Sequence, residues 1–342
     1  MPWLAIIADD LTGALDTAAP FAASPRGVAV ASRPDALAGA LAAGTDVVAV
    51  STRSREVAPV AAREAVEAVL AALPDGIRVL KKVDSRLKGN IVAELAPFAP
   101  RRLLAAPAIP EFGRVVRGGM LCGFGIDTPI DVRGRLGPHV DAALVPDTVT
   151  QGDLARALAA AGEDTVLVGA RGLSTALADA AGLGAPCPAG ALAHPLAIVV
   201  GSTDPITTAQ VARLGAEAAG VPIVDAPAGR VPTPGKGAPP PVTLLRIAPD
   251  AGGGEAGATV AARFAAGAVP WIKRVRALIL TGGATAEAVL DALDLSVFAL
   301  RGEALPGMPL IAAGAWQAVT KSGGFGEADA LVRLAALSRR EA

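Results

Sequence analysis

Asp9 and Asp10 stand side by side at the end of the apolar run Ile6-Ile7-Ala8, and the step Thr12-Gly13 leads on into a helical pattern. In open α/β sheets, ligands collect just beyond the carboxyl ends of strands. Two carboxylates there can orient a hydroxyl, accept its proton or hold a cation; Asp10 or Thr12 can equally cap the helix. Lys81-Lys82-Val83-Asp84-Ser85-Arg86 closes a second predicted strand. Alternation puts Lys82 and Asp84 on one face and Lys81 and Val83 on the other. Lys82 can neutralise an acidic substrate, while Asp84 and Ser85 can hydrogen-bond hydroxyls. The competing reading is a solvated strand end with Asp84 or Ser85 capping a helix from Gly89. Ser51-Thr52-Arg53-Ser54-Arg55 ends a third strand, and an arginine fork there can bind a carboxylate through two hydrogen bonds. Gly113-Arg114 and Arg117-Gly118-Gly119 read as a cationic loop or as plain turns.

A second kind of chemistry is written in glycine. Thr281-Gly282-Gly283-Ala284-Thr285 leads from a strand into a helix, as does Gly201-Ser202-Thr203-Asp204-Pro205, and Lys321-Ser322-Gly323-Gly324-Phe325-Gly326 precedes a third helix. Glycines let backbone N–H groups approach an anion, and the helix dipole favours phosphate at that end. Each loop alone is a weak signal; three in one region read as a nucleotide-phosphate site. Two look-alikes are set aside. Gly252-Gly253-Gly254-Glu255-Ala256-Gly257 fits the dinucleotide pattern, but no acidic residue lies between Glu255 and Glu287 to hold a ribose. Gly235-Lys236 lacks the Ser or Thr that a P-loop requires, because Gly237 follows.

The elements that must position these residues alternate between strand-like and helix-like patterns, which indicates βαβ units and a mainly parallel sheet. Strands are predicted over 3–8, 28–32, 46–51, 77–83 and 103–106, with helices over 13–23, 34–43 and 56–73. Residues 107–146 read as loops and short strands. The rhythm resumes with a helix over 154–161, a strand over 166–169 and a helix over 174–180. After a Gly/Pro/Ala-rich break at 182–194, a second α/β series follows. Its strands are placed at 196–200, 222–225, 242–247, 277–281 and 309–312, and its helices at 205–220, 258–269, 285–293 and 327–337. The expected architecture is therefore two α/β domains, 1–190 and 191–342, each with a mainly parallel sheet flanked by helices and an active site in the cleft between them.

Composition narrows the chemistry further. The 342 residues suffice for about two domains. An apolar fraction of 52% and a mean hydropathy of +0.48 owe much to alanine, and no window approaches the roughly 18 apolar residues of a membrane span. Strand 1 begins too early to leave room for a signal peptide, so a cytoplasmic protein is expected. A net charge of −1 and 3% aromatic residues without tyrosine argue against a nucleic-acid surface. Two cysteines and two histidines, His139 and His194, exclude a disulfide framework and disfavour a Ser-His-Asp triad or a histidine-rich metal site. Asp, Lys, Arg, Ser and backbone groups remain, a palette that suits phosphoryl transfer.

Together the segments IADDLTGALDTA, KKVDSRLKGNI, Gly113-Arg114, VVGSTDPITTAQV, LILTGGATAEAVL and KSGGFGEADAL resemble the four-carbon acid sugar kinase family, in its order and over nearly the whole chain. The resemblance implies an N-terminal acid-sugar domain, a C-terminal ATP-binding domain, and phosphorylation of threonate, erythronate or an oxo-tetronate with ATP and Mg2+. It implies acid-sugar contacts from Asp10, Arg55, Lys82, Val83, Asp84 and Ser85. It implies ATP contacts from Ser202, Gly282, Gly283, Ala284, Thr285 and Gly323. Metal ligands are left unassigned, and the oligomeric state stays open, a homodimer included. The chain departs from the family's usual text at Arg86 and Lys88, at Thr203 and Asp204, and at Gly324. From the residues, Arg55 and Lys82 are expected to hold the substrate, with Asp10 first and Asp84 second as proton acceptor. A non-catalytic sugar-acid-binding protein and an NAD(P)-dependent dehydrogenase using the Gly252 loop are the competing readings.

Overall fold

The structure, a computed structural model, describes residues 1–184, 190–218, 220–248 and 257–337. It divides into two compact units, Met1–Pro186 and Cys187–Ala342. Residues 252–256 of the glycine-rich look-alike lie outside the described residues.

In the first unit, strands β1 (Leu4–Ala8), β2 (Val28–Ala31), β3 (Val47–Ser51), β4 (Arg78–Lys82) and β5 (Leu103–Ala106) begin a parallel sheet. A three-stranded antiparallel sheet follows: β6 (Arg114–Arg117), β7 (Met120–Gly123) and β8 (Ile126–Asp131). Strands β9 (Ala143–Leu144) and β10 (Val166–Gly169) complete the parallel one, in the order β2-β3-β1-β4-β10-β5-β9. The helices are α1 (Leu11–Ala18), α2 (Leu37–Ala42), α3 (Pro59–Ala72), α4 (Ile91–Leu95), α5 (Val132–Leu136), α6 (Gln151–Ala160) and α7 (Arg171–Ala180). β1 is buried along its whole length, as a central parallel strand covered on both faces must be. The chain leaves β1 toward β3 on one side and β4 on the other, so a crevice opens at their shared carboxyl ends. There Ala8 pairs with both Ser51 and Lys82.

In the second unit β11 (Leu196–Val200), β12 (Ile223–Pro227), β13 (Val242–Ala248), β14 (Ala277–Thr281), β15 (Val297–Leu305), β16 (Met308–Ala313) and β17 (Trp316–Lys321) run in the order β12-β13-β11-β14-β17-β16-β15. The pairings are parallel from β12 to β17; β17, β16 and β15 then pair antiparallel. Helices α8 (Pro205–Glu217), α9 (Gly257–Ile272), α10 (Gly283–Ala292) and α11 (Ala330–Ala336) accompany the sheet. Leu196, Ile198, Leu214, Ile279, Leu310 and Leu334 share its core. The ends of β11, β14 and β17 are in register: Val200 pairs with Thr281, and Thr281 with Lys321. Each of the three glycine loops therefore leaves one of three adjacent strands.

The α/β architecture is as expected, with shifted ends. α1 stops at Ala18 because Pro20 turns the chain into a short 3-10 segment, so the helix predicted to Ala23 is shorter. The helix expected from Gly89 begins at Ile91, after Gly89 takes a φ of +87°. The second unit holds two strands that the periodicity did not mark, β15 and β17. No helix among the described residues is long and apolar enough to cross a membrane.

Candidate active site

At the crevice of the first unit, Arg55 is ringed by carboxylates. Its Nε and Nη2 donate to the two oxygens of Asp9 at 2.8 and 3.0 Å, and its Nη1 lies 2.9 Å from Asp10 Oδ2. Asp84 Oδ2 stands 3.6 Å from Nη2. Burial works against the Arg55 charge, but Asp9, Asp10 and Asp84 hold its guanidinium above the ordinary value. The same fork decides Asp9: burial pushes its carboxyl up, and Arg55, Lys82 and Lys81 together hold it below the usual carboxylate range. Arg55 is thus committed to three aspartates, which leaves it poorly placed as the principal holder of a substrate carboxylate. Its geometry is that of a clasp that fixes carboxylates in place.

Asp10 takes both roles that its sequence position allowed. Its Oδ1 accepts from Gly13 N at 2.8 Å, capping α1, and its Oδ2 accepts from Thr12 Oγ1 at 2.7 Å. Asp84 shapes the turn after β4 by accepting Arg86 N and Lys88 N on Oδ1 alone. Among the described residues its Oδ2 therefore faces no donor closer than Arg55. Val83 is buried, donates its N–H to Gly169 O and receives Lys82 Nζ at 2.6 Å on its own carbonyl. Ser85 lies half-buried in the turn.

The two lysines part company as alternation required. Lys81 is sealed in the core, paired with buried Glu94 at 3.0 Å; Ser54 donates to the same carboxylate and Thr52 joins Ser54. Lys82 is 4% exposed. Its one polar contact is the Val83 carbonyl, and among the described residues no carboxylate lies within 4 Å of its ammonium. A buried cation with no carboxylate in contact, only Asp9 and Asp16 at longer range, is costly unless a ligand supplies the charge. A Cβ on Gly13 would stand 3.1 Å from Lys82 Nζ and 2.5 Å from Asp10 Oδ1, so a residue without a side chain keeps this corner open.

Four further residues complete the crevice. Buried Arg171, at the start of α7, contacts Asp16 at 3.2 Å and Glu111 at 3.4 Å and lies over the Phe112 ring. Burial pushes the Asp16 carboxyl up, against the pull of Arg171 and Lys82. Arg114, 5% exposed on β6, donates Nε and Nη2 to the Phe124 carbonyl. Sequence reasoning missed Asp16, Arg171, Glu94 and the role of Asp9. The spacing of Asp16 from Asp10, nearly two helical turns, was the one signal available.

In the second unit a cleft of about 590 Å³ is lined by Gly201, Ser202, Thr203, Asp204, Pro205, Gly282, Gly283, Ala284, Thr285 and Gly323. All six residues expected to contact nucleotide are among them. Close approach explains the glycines: a Cβ on Gly201 would meet Thr285 Oγ1 at 2.0 Å, and one on Gly323 would meet Ser202 Oγ at 2.3 Å. The left-handed residue is Gly282, at φ +90°, not Gly283, which already lies in α10. Asp204 Oδ1 caps α8 through Ile206 N, so that terminus already holds a carboxylate. α10 has no side-chain cap, which leaves its first N–H groups for an anion.

The third loop is held from below. Lys321, fully buried, donates to Thr207 Oγ1 and to the carbonyls of Ser322, Gly323 and Phe325 at 2.9–3.2 Å. Thr207 donates to Gly323 O, and Gln210 to the carbonyls of Phe325, Gly326 and Glu327. Burial pushes the Lys321 ammonium down to about 8, against the pull of Asp204.

An α/β unit with a charged crevice and an α/β unit with a glycine-lined cleft suit a protein that handles a small polar molecule and a nucleotide. Comparison with known proteins agrees. Residues 4–131 match the model of a sugar-binding N-terminal domain, and 238–331 that of a nucleotide-binding C-terminal domain. A D-threonate kinase of Cupriavidus necator is 34% identical, over 97% of this chain and 96% of the relative. A D-threonate kinase of Bordetella bronchiseptica is 31% identical, over 98% and 97%. The chain belongs to the four-carbon acid sugar kinase family. A solved Salmonella typhimurium protein, 18% identical over 96% of this chain and 98% of its own, has a TM-score of 0.70 and shows the same fold. A Haemophilus influenzae protein at 0.64 does likewise.

Proposed function

We propose that the protein is an ATP-dependent kinase that phosphorylates a hydroxyl of a four-carbon sugar acid, with residues 1–190 binding the acid and 191–342 the nucleotide. The observation that carries this reading is Lys82, a buried cation with no carboxylate partner among the described residues, beside carboxylates clasped by Arg55. An acid supplies the missing charge; a neutral sugar does not. The sugar-acid kinases among the relatives support it. Lys82 takes the substrate carboxylate, while Arg55 holds Asp9, Asp10 and Asp84 in position. The open Oδ2 of Asp84 favours it over Asp10 as acceptor of the hydroxyl proton, because three donors already engage Asp10.

In the second unit, Gly282, Gly283, Ala284 and Thr285 present the α10 terminus to the nucleotide phosphates, and Ser202, beside Gly282, and Gly323 line the same cleft. Bound there, ATP would supply the phosphoryl group and Mg2+ would neutralise its charge. Mg2+ is bound through only one or two carboxylates besides phosphate oxygens. Asp204, whose Oδ2 is not used in capping, is the carboxylate that lines this cleft.

The test is ADP release by purified protein over a panel of threonates, erythronates and oxo-tetronates, with NAD(P) as a control in thermal shift. We expect turnover with at least one acid, and stabilisation by ATP analogues but not by NAD(P). Stabilisation by sugar acids alone, without turnover, would instead establish the non-catalytic binder.

A further inference from the structure

Arg86 and Arg114 form a feature that the kinase reading does not use. A Cβ built on Gly125 would lie 3.0 Å from Arg86 Nη2 and 3.4 Å from Arg114 Nη2. Two guanidinium tips thus converge on one point, beside a glycine at φ +70° that keeps the space free of a side chain. Arg114 is 95% buried and spends Nε and Nη2 on a single carbonyl, that of Phe124. Among the described residues neither guanidinium has a carboxylate within 4 Å. Burial, and then the neighbouring Arg86, pull the Arg114 charge down, with Asp84 and Asp16 opposing. Two like charges held together with no carboxylate in contact, only Asp84 and Asp16 farther off, are an unfavourable arrangement that an oxyanion bridging them relieves. Asp16 feels both Lys82 and Arg114, and Asp84 carries the Arg86 amide. The pair therefore belongs to the same crevice as Lys82. Arg86 is also one of the positions where this chain departs from the family's usual text.

We propose that Arg86 and Arg114 form a cradle for a second oxyanion, so that the crevice takes four-carbon ligands charged at both ends: one carboxylate at Lys82 and a phosphate or second carboxylate between the two arginines. The inference rests on the acid-sugar reading of the first unit. The shared chemistry has two sources, the phosphorylated sugar acid formed by the reaction and a four-carbon dicarboxylic acid.

Calorimetry on the full chain without nucleotide separates them, with threonate, 4-phosphothreonate and tartrate as probes. At least one doubly charged probe should bind about tenfold or more tighter than threonate, the usual gain from added hydrogen bonds to a charged group. Preference for the phosphate identifies a product cradle, and preference for tartrate a dicarboxylate site. Arg86→Thr, with Arg86→Gln as a second variant in case the first folds poorly, should bring the ratio of doubly to singly charged affinity to within about threefold of unity. Equal affinity for all three probes in the unaltered protein, or an unchanged ratio in a folded Arg86 variant, would overturn the cradle while leaving the acid-sugar reading intact. No binding of any probe would overturn both.

Discussion

Asp10 and Asp84 differ in what their oxygens already do, and that difference can be measured. Asp84→Asn removes the one oxygen free to take a proton, yet the amide oxygen can still accept Arg86 N and Lys88 N. We expect kcat to fall by about two to four orders of magnitude, with little change in stability or in ATP binding. Asp10→Asn keeps the helix cap, because asparagine caps about as well as aspartate, and Asp9 still engages Arg55. Its kcat should fall at least about tenfold less than that of the Asp84 variant. The reverse order in steady-state kinetics would return the base role to Asp10. Sequence was informative here wherever alternation or adjacency fixed a side chain's direction, as for Lys82 and Asp10. It could not reveal that Arg55, which follows β3, is saturated, because its partners come from two other strand ends, those of β1 and β4. Nor could it find Glu94, whose pairing with Lys81 joins residues from β4 and α4.

Among the elements, the turn from β14 into α10 carries the sharpest geometric demand. Gly282 holds φ +90°, where a β-branched residue costs on the order of 1–3 kcal/mol, whereas Gly283 is ordinary helix. Gly282→Val should lower ATP affinity at least about tenfold, a loss of about 1.4 kcal/mol, while Gly283→Val should weaken it less and by crowding alone. Calorimetry that finds native ATP affinity in folded Gly282→Val would remove this loop from the nucleotide site. The βαβ rhythm made most parallel strands legible, since each is a short buried run flanked by turn residues. β15 escaped because Gly302 interrupts its alternation, and β17 because Ala318, Val319, Thr320 and Lys321 are all buried in a row, polar residues included. The β15–β16 pairing also shifts register between Leu300 and Gly302 and again between Glu303 and Leu305. A pattern of period two cannot be read across such shifts. The glycine loop after β17 was found all the same, because its composition needs no periodicity.

At the scale of the molecule, Lys321 makes stability depend on alkaline pH. Below about 8 the lysine is charged in both the folded and the unfolded chain, so folding bears the full penalty of burying that charge. Between about 8 and the ordinary value of 10.5, the unfolded chain binds the extra proton, and stability rises with pH. The Lys321 share of that rise is up to about 3 kcal/mol. Lys321→Met should flatten this part of the curve in urea denaturation at pH 7, 9 and 10, and should also loosen the 321–327 loop enough to raise the KM for ATP. A variant whose stability curve parallels the unaltered one would show that Lys321 titrates normally. The division into Met1–Pro186 and Cys187–Ala342 falls within the compositional break at 182–194, since compositional punctuation is local.

The lone ammonium of Lys82 also acts by exclusion. A tetritol, the uncharged alcohol of the same carbon skeleton, can reach every hydroxyl-binding group in the crevice and still leave that ammonium desolvated and unmatched. A site that hides a polar group rejects the ligand lacking its partner far more strongly than a greasy pocket rejects a missing methylene, by a factor of about 10⁴ or more. Competition binding of threitol against threonate should therefore show no measurable displacement at millimolar alcohol. If Lys82 holds the substrate carboxylate, neutral polyols are kept out by a charge no neighbouring carboxylate contacts, with no wall built against them.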